Sequence, residues 1–141
     1  MSSHEITLLL VEDDDIDAMT IKRSFLKQRI GNKILRAEDG ESALHMISSG
    51  DIKKPFVILL DLNLPKLSGH EFLDALRQDK DHKETVVFVL TTSADDKDKM
   101  RAYENFIAGY FLKNDTGEQF MKLIGMLDGF WRIVKLPDEE D

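Results

Sequence analysis

The stretch Leu8–Ala18, LLLVEDDDIDA, passes without a break from apolar residues into a cluster of carboxylates. Glu12, Asp13, Asp14 and Asp15 are consecutive, and Asp17 follows Ile16. Like charges this close repel, so placing them directly behind a segment bound for burial needs a reason. Two reasons are available. A cation can gather some of the carboxylates, and the first turn of a helix can accept the rest.

The apolar half of that stretch belongs to a series. Runs of strand length recur at Ile6–Glu12 (ITLLLVE), Lys33–Ala37 (KILRA), Phe56–Asp61 (FVILLD), Thr85–Thr91 (TVVFVLT) and Ala108–Lys113 (AGYFLK). Three of them are nearly continuous in Leu, Ile, Val and Phe, the pattern of strands buried on both faces in a parallel sheet. A helical pattern follows each run. Ala18, Ile21, Phe25 and Leu26 define the first apolar stripe. Asp39 is placed to cap the second helix, and Ser68 with Glu71 forms a capping-box pattern at the third. Thr116 with Gln119 repeats that pattern at the fifth. Strand and helix alternate five times, which predicts an α/β domain with a doubly wound, five-stranded parallel sheet.

Composition narrows the function. The 141 residues suit one domain, and the 42% of hydrophobic residues are enough for a sizeable core. A net charge of -8 argues against sequence-independent binding of nucleic acid. The absence of cysteine excludes disulfides, thiolate catalysis and Cys-based zinc sites. No apolar run approaches the ~20 residues of a membrane helix, and MSSHEIT is not a secretory signal. A soluble cytoplasmic domain is the expectation. The histidines, His4, His45, His70 and His82, are scattered without metal-ligand spacing and read as surface residues. Residues 95–99 read as a solvated helix face.

In an open parallel sheet the ligand site lies at the carboxyl ends of the strands. This chain places Glu12 and Asp13 after the first strand, Asp61 after the third, Thr91 and Thr92 at the end of the fourth and Lys113 after the fifth. Three carboxylates with oxygen ligands suit Mg²⁺. A carboxylate can attack phosphorus to give an aspartyl phosphate, with the cation and the lysine offsetting charge on the transferring oxygens. Glu12 and Asp13 then belong to a metal site, while Asp14, Asp15 and Asp17 serve the start of the following helix. An EF-hand loop starting at Asp13 fails at Ala18, where glycine is required, and at Ser24, where the closing glutamate belongs.

These motifs, LLLVEDD, LLDLNLPKLSG, VLTTS and GYFLK, resemble the CheY-like receiver domains of two-component response regulators. The resemblance spans about residues 6–127 and implies the flavodoxin-like strand order 2-1-3-4-5. It implies that Asp61 is the phosphoacceptor and that Glu12, Asp13, Asp61 and Asn63 hold Mg²⁺. It implies further that Thr91 is the hydroxyl that moves toward the phosphoryl group, that Lys113 contacts it, and that Tyr110 is the aromatic switch. Taken alone, Tyr110 reads equally as a packed aromatic. VLTTS, the terminal FWRIVKLP and the longer segment SSGDIKKP are similar to single-domain regulators that partner phytochromes. The implied partner is a histidine kinase, of bacteriophytochrome type in the closer resemblance. The implied output is a shift of the face made by the fourth helix, fifth strand and fifth helix. Such a protein assists its own phosphorylation and turns over no independent substrate, so it is not expected to be an enzyme. Two other readings are a phosphate-independent binding module and a Mg²⁺-dependent phosphatase. The phosphatase reading is weakened because Asn63 stands where such enzymes carry a second aspartate. Asn114 replaces the family's usual cis proline after the lysine, which leaves the cis or trans state of the Lys113–Asn114 peptide open.

The chain is expected to be one receiver domain with a C-terminal extension, residues 128–141, ending in an acidic tail. Phe130, Trp131, Ile133, Val134 and Leu136 are too apolar for a free tail. They either cap the molecule's own core or dock on a second subunit as a dimer arm, with the fourth helix, fifth strand and fifth helix as a further contact. The resemblance favours the arm, and on that reading truncation after Asp128 leaves a folded monomer.

Overall fold

The apolar runs form the strands of one sheet, each followed by a helix. The computed structural model describes residues 5–113 and 117–136. In chain order the elements are β1 (Thr7–Val11), α1 (Asp15–Lys27), β2 (Ile34–Ala37), α2 (Gly40–Ser48), β3 (Phe56–Leu60), α3 (Gly69–Gln78), β4 (Val87–Thr91), α4 (Asp96–Glu104), β5 (Gly109–Leu112) and α5 (Gly117–Ile133). The strands are all parallel and lie in the order β2-β1-β3-β4-β5. The expected doubly wound architecture is therefore present.

Alternation within the buried strands feeds two cores. Leu8, Leu10, Val57, Leu59, Phe88 and Leu90 face α1 and α5, where Ile21, Phe25, Ile124 and Trp131 meet them. Leu9, Val11, Ile58, Leu60, Val87 and Val89 face the opposite layer, with Ile47, Phe72, Leu73 and Ala102 from α2, α3 and α4. All five residues of β3 and of β4 are buried, as their continuous apolar runs require.

The helix starts follow local chemistry. The Asp14 carboxylate accepts from the Ile16 and Asp17 N–H groups at 2.8 and 3.1 Å and caps α1. Asp39 caps α2 through the Ser42 N–H, and Ser68 with Glu71 completes a reciprocal capping box at α3. The Thr116–Gln119 box and the Lys113–Asn114 peptide lie outside the described residues.

Three expectations change. Leu26 is 78% exposed, not part of the buried stripe. At ~100° per residue it turns away from Phe25, which already fills the position against the sheet. His70 is only 8% exposed, because Asp98 of α4 packs over it with Nε2 to Oδ1 at 3.2 Å. Asp98 is correspondingly not a plain solvated charge. The Ser93 hydroxyl donates to it at 2.6 Å, and that bond first, with His70, holds its carboxyl below the usual range. No described helix is long and apolar enough to cross a membrane.

Candidate functional site at the carboxyl ends of the strands

The register sets the site. Val11 pairs with Ala37 and with Leu60, Leu60 with Val89, and Val89 with Tyr110. The central strands therefore end nearly level. Glu12 continues the ladder through its N–H to the Ala37 carbonyl at 3.0 Å, Asp61 through its N–H to Val11 at 3.0 Å, and Lys113 through its N–H to Thr91 at 2.8 Å. The residues expected at the strand ends are thus brought together.

Lys113 sits at the centre. Its ammonium lies 2.7 Å from Glu12 Oε1, 2.8 Å from Asp17 Oδ2 and 3.0 Å from Asp61 Oδ2. A lysine has three N–H donors, and three carboxylates take them. The other Asp61 oxygen accepts from the Asn63 N–H at 3.1 Å, so both oxygens of that carboxylate are held. Asn63 also reaches Thr92 through Nδ2 at 3.4 Å.

The charges are strongly perturbed. Burial pushes the Glu12 carboxyl up to about 7, with the nearby Asp61 charge adding to it, against the lowering effect of Lys113 and the Asp14 N–H. Burial alone would lower Lys113, but its bonds to Asp17, Glu12 and Asp61 reverse this and hold the ammonium protonated well above the usual range.

Glu12, Asp13 and Asp61 can each offer a carboxylate oxygen, with the three oxygens within 4.8 Å of one another. An all-oxygen set of this size fits a hard divalent cation. Asp13, Asp61 and Glu12 are the expected ligands, and Asn63 is adjacent through its bond to Asp61.

Thr91 is fully buried, and its hydroxyl accepts from the Ser93 N–H at 3.3 Å. The Tyr110 hydroxyl donates to the Ser93 carbonyl at 2.8 Å, and its ring packs on the core beside α2, α3 and α4. Thr91 and Tyr110 are thus tied to one residue of the β4–α4 loop.

Three participants were not foreseen. Asp17, read as a helix-start charge, is an ion-pair partner of Lys113. Its signal was present, since Asp17, Ile21 and Phe25 follow i, i+4, i+8 and put a carboxylate on the apolar stripe. Arg36 of β2 donates through Nε to the Glu12 carbonyl at 2.9 Å and pairs with Asp15 at 2.8 Å, fixing the β1 turn. Thr92, read as an ordinary strand-end residue, holds the Asn63 side chain.

Comparison with known proteins gives this arrangement a family. Residues 8–125 match the response regulator receiver domain. The chain is 35% identical over 127 residues to the probable methanogenesis regulatory protein FilR2 of Methanothrix harundinacea, covering 88% of this chain and 82% of that one. It is 33% identical over 135 residues to the response regulator Rcp1 of Synechocystis, covering 92% of each. The Mn²⁺-bound structure of Rcp1 superposes with a TM-score of 0.83 at 32% identity, covering 93% of this chain and 98% of that one. The phosphorylated cyanobacterial phytochrome response regulator RcpA superposes with a TM-score of 0.87 at 27% identity, covering 95% and 99%. A parallel sheet ordered 2-1-3-4-5, an acidic cluster and lysine at its carboxyl edge, and a sequence match across that whole core lead to one conclusion: the chain belongs to the response regulator receiver domain family of two-component signalling, with phytochrome response regulators among its relatives.

Proposed function

We propose that this chain is a response regulator receiver that accepts a phosphoryl group from a histidine kinase onto Asp61. The observation that carries the reading is the Lys113 ammonium 3.0 Å from Asp61 Oδ2, beside the Glu12, Asp13 and Asp61 cation cluster. An Asp61 oxygen forms the bond to phosphorus. The phosphorus–nitrogen bond to the donor imidazole breaks, and its electron pair leaves with that ring. Lys113 offsets negative charge on the phosphoryl oxygens, and the Asn63 N–H keeps the attacking carboxylate oriented. Mg²⁺, held by Asp13, Asp61 and Glu12, would supply further charge neutralisation. The Thr91 hydroxyl then serves a phosphoryl oxygen, drawing on the Ser93 segment that Tyr110 also holds. The surface of α4, β5 and α5 changes as a result. The protein assists only its own modification and acts in the cytoplasm.

The kinase is proposed to be of phytochrome type. The likeness to Rcp1 and RcpA supports this, and phosphotransfer from such a kinase in preference to an unrelated one tests it. A homodimer through residues 128–137 and the α4, β5 and α5 face is part of the same reading.

The chemical test is intact mass after incubation with acetyl phosphate. One added phosphate is expected, requiring both Mg²⁺ and Asp61 and absent in Asp61→Asn. No adduct in the wild type, together with no stable beryllofluoride complex, would leave the phosphate-independent module as the better reading.

A further inference from the structure

Among the described carboxylates, Asp17 reaches the Lys113 ammonium without belonging to the cation cluster. Glu12 and Asp61 hold Lys113 at 2.7 and 3.0 Å, but both are also members of the Glu12, Asp13 and Asp61 set. A divalent cation held by that set would draw on both of these carboxylates. Phosphorylation would go further, because forming the acyl phosphate removes the Asp61 carboxylate charge and places the new anionic oxygens beyond the old carboxylate. Two of the three partners of Lys113 are therefore engaged elsewhere at the moment its charge is needed.

Asp17 is held apart from this competition. It comes from α1, whose Ala18, Ile21 and Phe25 are buried against the sheet. Its backbone N–H is already taken by the Asp14 cap at 3.1 Å, so its carboxylate is not needed at the helix start. That carboxylate points instead to Lys113 Nζ at 2.8 Å and is itself partly buried. Lys113 follows directly on β5, and Asp17 anchors its ammonium from a different element, α1.

We infer that Asp17 is a positioning residue, which keeps the Lys113 ammonium directed at Asp61 when the cation and the phosphoryl group engage Glu12 and Asp61. This rests on the receiver reading above. The role is indirect: Asp17 acts through Lys113 and touches no reacting atom.

A double-mutant cycle on the full chain tests it. The rate of phosphate addition from acetyl phosphate is followed by intact mass at saturating Mg²⁺. The proteins are the wild type, Asp17→Ala, Asp17→Asn, Lys113→Ala and both double mutants. Loss of a charge-assisted bond is expected to slow Asp17→Ala roughly ten-fold or more. Asp17→Asn is expected to lose less, because its amide oxygen still accepts from Lys113. With Lys113 already removed, the Asp17 substitutions are expected to change the rate by less than about two-fold, the mark of residues acting as a unit. Equal losses with and without Lys113, or no loss with Lys113 present, overturn the inference. Asp17→Asn and its double mutant carry the same comparison if the alanine variant does not fold. A wild type that takes phosphate on Asp61 while Asp17→Ala matches it refutes this inference alone. A wild type that takes none refutes the receiver reading and this inference with it.

Discussion

Glu12 is one residue through which pH acts on this molecule. Its carboxyl is buried, and burial raises it from 4.5 to about 7 in the folded chain. Between those values the folded state holds a proton that the unfolded state has released. By linkage, the contribution of Glu12 to stability is greatest below about 4.5 and falls as pH rises toward 7. Cation binding has the opposite demand, because a ligating carboxylate must be ionised. Two results are expected. Without Mg²⁺, the melting temperature declines between pH 5 and 7, and Glu12→Gln flattens that decline. With Mg²⁺, the rise in melting temperature on adding the cation is larger at pH 8 than at pH 5.5. Parallel melting profiles for wild type and Glu12→Gln would show that Glu12 does not carry the dependence. The carboxyls held low by local hydrogen bonds, such as Asp39 and Asp98, act in the other direction and at more acidic pH.

At the scale of elements, the site depends on how closely α3 approaches the end of β3. Gly69 opens α3, and a Cβ there would lie 2.5 Å from the Leu62 Cα and 2.6 Å from the Asp61 carbonyl oxygen. Both are backbone atoms and cannot rotate aside. Gly69→Ala is therefore expected to push α3 off the Asp61–Leu62 segment and to cost ~1–3 kcal/mol, the range for overpacking. The lost bond between the Gly69 N–H and the Leu62 carbonyl, 3.0 Å long, adds to the effect. A lower melting temperature together with slower phosphate addition to Asp61 is the expected pair of results. A variant with wild-type values for both would show that the loop absorbs the methyl group. This scale also shows what a sequence makes legible. Period and capping placed the strands, Asp39 and the Ser68–Glu71 box, because those signals are local. Asp61, Lys113 and Glu12 were legible because parallel strands bring their carboxyl ends to one edge. Arg36 and the burial of His70 were not, because each depends on which helix packs beside which strand end. Asp17 was legible in part, since its place on the apolar stripe set it apart while its partner, the lysine directly after β5, did not show in the sequence.

At the scale of the whole molecule, the C-terminal segment serves the fold before any assembly. Trp131 is 2% exposed, with its ring centre 6.0 Å from that of Phe25 and its indole N–H on Asp128 at 3.2 Å. Phe130 meets Phe88 edge-on at 5.1 Å, and Leu136 is buried in the same core. These residues pack on the molecule's own core, so the folded monomer expected from truncation after Asp128 is now expected to be a destabilised one. Loss of a buried tryptophan alone costs ~3–5 kcal/mol. For a chain of this length that corresponds to a melting temperature lower by roughly 10 °C or more. Truncation therefore confounds stability with assembly. The outward residues separate the two, since Ile133 is 86% exposed and Val134 is also exposed, on the turn that Trp131 anchors from the other side. If residues 128–137 form a dimer arm, Ile133→Asp should leave the melting temperature near wild type. The same variant should shift light scattering from dimer to monomer, because an exposed charge costs the fold little and an apolar contact between subunits much. A dimer of unchanged strength in Ile133→Asp, with Trp131→Ala destabilised as expected, would make this segment part of the fold alone and move any subunit contact to another face.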